Sequence, residues 1–237
     1  MKKSIKKAFT LAEIIFVMGI IGIVATLTVT NAKKDTDVTE KVSQLRKTEE
    51  IISTAVAQAV TENGDIGTWG ANGNSWPTQE EFWNVISPYL KLKKNCENSR
   101  GCWTVGKATK LLSSTSTVND NIDDDKTVYK GILANGVSIA TENAVVENDY
   151  VGFKVDVNGP NKGTYRYGDD IFVFSIYKDG NVNPFGYEYT RNGNEFLNEC
   201  ISGRGIYCTP WVFQFGNQDY LKDCRHKLDW DGPQTCR

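Results

Sequence analysis

The side chains that could do chemistry are spread unevenly along this chain. Four lysines, Lys2, Lys3, Lys6 and Lys7, fall within the first eight residues, MKKSIKKA. An apolar run follows at residues 9–29, FTLAEIIFVMGIIGIVATLTV, and one acid, Glu13, stands inside it. A carboxylate in mid-membrane costs roughly 2.5–3.5 kcal/mol on insertion scales. Glu13 lies near the lysine-bearing end, so reaching toward the headgroups recovers part of that cost. A plain anchor gains nothing from such an acid. Glu13 therefore calls for a cation at a similar depth.

The other reactive groups lie far downstream. Six cysteines, Cys96, Cys102, Cys200, Cys208, Cys224 and Cys236, are confined to the chain after residue 95. An even set of this kind reads as three disulfides in an oxidising compartment. Zinc prefers CxxC-type spacing with Cys or His partners; no CxxC occurs, and His226 is the only histidine. With one histidine, no Ser/His/Asp site can be built except around His226. Paired cysteines are not nucleophiles, and neither a Walker nor a dinucleotide glycine pattern is present. The chain reads as a protein that is not an enzyme and has no cofactor. Asp156, Asn158, Asp169 and Asp170 place oxygen ligands at the ends of adjacent strands, the type calcium takes in sets of six to eight. Asx residues also favour turns for purely local reasons, which is the plainer explanation.

Bulk composition limits the reading further. The 237 residues suffice for one domain and an appendage. Charged residues make up 24%, and the net charge is −2, which makes no case for nucleic-acid binding. Taking the four leader lysines from the 27 basic residues leaves 23 against 29 acidic, a net charge of −6.

These groups must be positioned by elements. Residues 9–29 make a helix of roughly 31 Å at 1.5 Å per residue, the thickness of a bilayer core. Lysines before it stay cytoplasmic, so the cysteines lie outside. Helical periodicity continues beyond: Val38, Val42, Leu45, Ile52, Val56 and Ala59 recur at spacings of 4, 3, 7, 4 and 3. The opposite face carries Lys33, Lys34, Asp35, Glu40, Lys41, Arg46, Lys47 and Glu50. One helix to about Thr61, ended by Gly64 and Gly67, would be roughly 80 Å long.

Residues 62–126 read as irregular with short helices, one opening at Thr78-Gln79-Glu80-Glu81 as a capping box. The run Asn119–Asp125 reads as a solvated loop. From Thr127 the period becomes two. Val128–Leu133 and Val137–Ala140 flank Asn135-Gly136, a hairpin signal. Val151–Val157 and Ile171–Tyr177 complete about four strands, with a further strand at Trp211–Phe213. Trp69, Trp76, Trp83, Trp103, Trp211 and Trp230 read as packing residues rather than a sugar platform. The expected fold is α+β: a long amino-terminal helix, membrane-embedded in its first half, packed on an antiparallel sheet, with a disulfide-containing carboxy-terminal region. Cys96 and Cys102 bracket a short loop and are expected to pair. The last four cysteines allow three pairings, of which loop length favours Cys200–Cys208 with Cys224–Cys236.

The stretch Lys7-Ala8-Phe9-Thr10-Leu11-Ala12-Glu13 resembles the prepilin peptidase site of type IV pilins and type II secretion pseudopilins. Ala8 stands where that family usually has Gly, and Thr30 where many members have Pro. The segment Val155–Asn161, VDVNGPN, with Gly168-Asp169-Asp170-Ile171-Phe172, is similar to the sheet region of pseudopilin-like proteins. The resemblance implies cleavage between Ala8 and Phe9, a methylated Phe9 amine, and Glu13 as the assembly acid. It implies a leader at 1–8, a transmembrane and filament-core helix at 9–29, its amphipathic continuation at 30–61 and an extracytoplasmic domain at 62–237. Implied partners are the prepilin peptidase, other pilin or pseudopilin subunits, an assembly platform with its ATPase, and the lipid bilayer. The implied location is the bacterial cytoplasmic membrane, then a periplasmic or cell-surface filament. The rival reading is a membrane-tethered binding domain, for example for carbohydrate, that never polymerises.

Overall fold

A computed structural model describes residues 11–71, 73, 75–113, 121–145, 150–187 and 196–236, with the side chains of 11–17, 19–35, 143–145 and 197 outside that description. The chain divides into two compact units, Met1–Glu40 and Lys41–Arg237.

In the first unit the described backbone is helical throughout, as part of helix α1 (Leu11–Asn63). The helix continues through Thr30, where no proline interrupts the hydrogen-bond ladder. Met18 is exposed. Among the described residues no helix is long and apolar enough to cross a membrane. The apolar run at 9–29 falls on residues whose side chains, Met18 apart, lie outside the described set.

The second unit opens with the rest of α1. Val42, Leu45, Ile52, Val56 and Ala59 are all buried, so the period-3.6 stripe becomes a core face. Burying each large member stabilises the fold by about 1.5–3 kcal/mol. The helix stops where Gly64 takes φ +79, a left-handed conformation that costs glycine nothing, and its N–H closes onto the Val60 carbonyl at 2.8 Å. Helix α2 (Gln79–Ile86) starts with the capping box expected at Thr78 and Glu81. Its buried Phe82 and Trp83 reach Phe153, with ring centroids 5.6 and 6.4 Å away.

The sheet has six strands rather than about four: β1 (Leu92–Glu97), β2 (Lys130–Leu133), β3 (Ser138–Val145), β4 (Tyr150–Asp156), β5 (Ile171–Tyr177) and β6 (Val182–Pro184). All neighbours are antiparallel and spatial order follows chain order, so the sheet is a simple meander. The four expected strands, Val128–Leu133, Val137–Ala140, Val151–Val157 and Ile171–Tyr177, correspond to β2, β3, β4 and β5. The additions are both edges. β1 shows a run of exposed polar residues, and three-residue β6 is too short to carry a period.

Two further expectations are corrected. Trp211–Phe213 is not a strand; it belongs to helix α3 (Thr209–Phe215), where Pro210 occupies the first turn and Gly216 ends the helix at φ +66. Proline fits there because that N–H would be unpaired anyway. Phe213 meets Phe174 of β5 edge-on at 5.5 Å, while Trp211 stacks on Phe196 at 4.1 Å. The run Asn119–Asp125 is not a solvated loop throughout: Ile122 and Asp123 are buried. Asp123 accepts the N–H groups of Gly101 and Trp103 at 2.9 and 3.0 Å, which fixes the Cys96–Cys102 loop. Five of the six tryptophans are buried, and Trp76 is half-buried.

Candidate functional site

Two turns and one helix bring charged side chains together beneath α1. β4 ends at Asp156, and the turn after it is closed by the Gly159 N–H on the Asp156 carbonyl at 3.1 Å. The chain returns to β5 through Arg166–Ile171, where the N–H groups of Asp169, Asp170 and Ile171 all point at the Arg166 carbonyl. That turn aims two adjacent carboxylates at the first helical turn of the second unit. Lys41 meets both, its Nζ lying 2.7 Å from Asp169 Oδ1 and 2.9 Å from Asp170 Oδ1.

Each oxygen in this cluster has a defined surrounding. Asp169 Oδ2 accepts from Thr164 Oγ1 at 2.7 Å and from Arg166 at 3.2 Å. Asp170 Oδ1 also accepts the Asn158 amide N–H at 2.8 Å. Asp170 Oδ2 sits in a cradle of donors: the Thr164 N–H, the Tyr165 N–H at 2.7 Å and the Thr164 hydroxyl at 2.7 Å, whose single proton is shared with Asp169 Oδ2. Gly163 makes this close approach possible, with φ +73 and space in which a Cβ would come within 2.6 Å of Asp170 Oδ2. Asp156 lies opposite Ser138 on β3 and Ile171 on β5. Its Oδ1 accepts the Asn158 N–H at 3.1 Å, but its buried Oδ2 has no hydrogen-bond partner.

Burial and charge act in opposition across the cluster. Burial lowers the proton affinity of Lys41, yet hydrogen bonds and charge from Asp169, then Asp170, hold it well above the ordinary lysine range. Burial would likewise raise Asp169, but Lys41, Thr164 and Arg166 together hold its carboxyl below the usual carboxylate range. Asp156 has no such help. Burial, then the charge of Asp170, pushes its carboxyl well above that range. Lys41 is therefore held in its charged form by the two acids that face it, while Asp156 is shifted toward its protonated form.

The sequence-derived site residues divide into two groups. Ala8 and Phe9 lie outside the described residues, and so does the side chain of Glu13; the backbone of Glu13 is in the first turn of α1. The four calcium candidates, Asp156, Asn158, Asp169 and Asp170, do converge, and the cation that the Asp169 and Asp170 carboxyls face is the Lys41 ammonium. Among the described residues no group of three or more His, Cys, Asp or Glu is arranged to hold a metal ion. The cysteines form three disulfides, Cys96–Cys102, Cys200–Cys208 and Cys224–Cys236, the pairing that short loops favour.

Lys41 is the residue that the sequence pattern misplaced. It reads as part of the charged face, yet it is buried. A signal was present: Lys41, Leu45, Thr48 and Ile52 follow at spacings of 4, 3 and 4, which puts the lysine on the stripe that is buried. No known protein family, curated protein or solved structure matches this chain.

Proposed function

We propose that this chain is a subunit of a type IV pilus-like filament, within that class a type II secretion pseudopilin or minor pilin, processed after Ala8. The observation that carries this reading is the segment Lys7–Glu13: a basic leader, a small residue, Phe-Thr-Leu-Ala-Glu and an apolar helix in direct succession. Two structural features support it. Helix α1 leads without interruption from Leu11 into the globular unit. That unit is an α+β domain with an antiparallel meander and three disulfides, which suit an oxidising exterior.

The physical logic centres on Glu13. Removal of residues 1–8 creates an amine at Phe9, four residues before Glu13. In a bundle of parallel helices the amine of one subunit neutralises Glu13 of the next. The pairing offsets neighbouring helices by about 6 Å. It turns an acid that is costly in lipid into a partner in the filament core. The prepilin peptidase, assembly platform and ATPase enter through the family resemblance alone.

Amino-terminal sequencing of the membrane-extracted protein tests the reading. The mature chain begins at a methylated Phe9; a start near Lys33 means ordinary signal cleavage and removes the proposal. A second measurement separates assembly from anchoring. Glu13→Leu eases membrane insertion by up to about 2.5–3.5 kcal/mol. It leaves Ala8 and Phe9 in place, so processed protein accumulates in membranes while sheared or secreted filament is lost. Assembly at the wild-type level would instead favour a tethered binding domain.

A further inference from the structure

The cluster around Lys41 has the parts of an amide-forming site. An amine nucleophile, Lys41 Nζ, lies against the carboxyl group of Asp170, whose side chain is fully buried. One oxygen of that carboxyl, Oδ2, is held by the N–H groups of Thr164 and Tyr165 and the hydroxyl of Thr164. Backbone donors aimed at one carboxyl oxygen are what stabilises a tetrahedral oxyanion during acyl transfer. The other oxygen, Oδ1, faces Lys41 and the Asn158 amide. A third carboxyl, Asp156, shares Asn158 with Asp170: its Oδ1 accepts the Asn158 main-chain N–H while the Asn158 side-chain amide donates to Asp170 Oδ1, and its Oδ2 is buried without a hydrogen-bond partner. A group buried without a partner in a folded protein calls for an explanation. The competing carboxylate, Asp169, is met by side chains instead: Lys41, Thr164 Oγ1 and Arg166.

We propose that Lys41 Nζ and Asp170 Cγ condense into an intramolecular isopeptide bond, with the Asp156 carboxyl as proton carrier. The proposal concerns the second unit alone and stands independently of the filament reading. The ion pair is the resting state. Passing one proton from the ammonium to Asp170 Oδ1 turns the pair into the neutral amine and neutral acid from which attack begins, an uphill step from the ion pair that holds Lys41 charged. The amine then attacks Cγ, and negative charge collects on Oδ2 within its donor cradle. A second nitrogen-bound proton passes through Asp156 to Oδ1, which leaves as water. Of the three ammonium protons, two depart in that water and one stays on the amide nitrogen. The N–C bond forms, the C–Oδ1 bond breaks, and no oxidant, reductant or co-reactant is consumed. Burial, then the charge of Asp170, shifts the Asp156 carboxyl toward its protonated form, which suits it to give a proton as it takes another.

Mass spectrometry of the denatured full-length chain reads the result directly. The expected mass is one water below that of the chain carrying three disulfides, reckoned from the amino terminus the isolated chain has, and the deficit persists after reduction. Proteolysis then releases a branched peptide joining Lys41 to Asp170. Lys41→Arg and Asp170→Ala each restore the missing water and separate the two peptides. Asp156→Asn abolishes the bond and Asp156→Glu restores it in part. An uncrosslinked wild-type chain at the full mass overturns the proposal, as does a branch at Asp169. Full crosslinking in Asp156→Asn removes Asp156 from the reaction. The wild-type measurement needs no variant to fold, so the proposal is decided even if a substitution proves unstable.

Discussion

Two buried lysines in this protein meet opposite electrostatic fates. Lys41 on α1 points at two carboxylates, which raise its proton affinity despite burial. Lys130 on β2 is fully buried too, but its ammonium donates to two main-chain carbonyls, Asp125 O at 3.1 Å and Val128 O at 3.2 Å. Burial lowers its proton affinity, and the charges of Asp123 and Asp125 offset only part of that. Depth is similar; what differs is whether a full negative charge is in hydrogen-bond contact. A dipole satisfies the N–H groups, whereas a carboxylate also repays desolvation of the charge. The first lysine ties two distant parts of the chain together. The second closes a local turn.

Breaking each lysine separates the two cases. Lys41→Met leaves Asp169 and Asp170 facing each other without their cation, and breaking a buried pair from one side costs about 3–5 kcal/mol. The urea midpoint should fall accordingly at neutral pH, and it falls also if Lys41 is amide-bonded, since the crosslink is lost. Asp123→Ala comes next. It orphans the N–H groups of Gly101 and Trp103, at about 2–3 kcal/mol, whereas Asp123→Asn keeps an acceptor and loses less. Lys130→Met removes a charge that burial already disfavours and strands two carbonyls, for about 1 kcal/mol. A larger loss at Lys130 than at Lys41 would show that contact with a carboxylate is not what distinguishes them.

The smallest effect is the sharpest in sign. Lys130 has a folded proton affinity below its unfolded value of about 10.4. Unfolding therefore takes up a proton in that window, and wild type gains stability relative to Lys130→Met as pH rises toward the unfolded value. Lys41 is held above its unfolded value. Its stabilisation is complete below about 10.4 and is lost as pH rises through its folded value. Urea titrations of wild type and both variants at a series of alkaline pH values measure the two differences. An amide-bonded Lys41 has no proton to lose, so formation of the isopeptide bond leaves only the Lys130 trend.

Much of the scaffold is legible from local rules. Thr78 and Glu81 mark the start of α2 because the capping box is satisfied within four residues. The turn at Asn135-Gly136 joins β2 to β3, with Gly136 taking the left-handed conformation at φ +90 that glycine adopts without strain. The stripe from Val42 to Ala59 becomes core because helical geometry alone places it on one side. β1 and α3 were not legible for a shared reason. Three polar residues in succession carry no strand period, and seven residues are too few to show a helical one. β1 is a strand because β2 offers it a partner.

The sequence by itself determined what depends on near neighbours: an acid within an apolar run behind a lysine-rich start, an α+β order of elements, and cysteines spaced for short closed loops. Periodicity, capping and turn chemistry act over a few residues, and so can be read in a line of text. Only the tertiary structure decided which charges meet. Lys41 and Asp169 are 128 residues apart, and their 2.7 Å contact exists because α1 crosses over the turn between β4 and β5. Whether a charge is paired or stranded follows from burial and from partners far away in the chain. The protonation of Asp156 and the chemistry open to Lys41 are therefore properties of the fold.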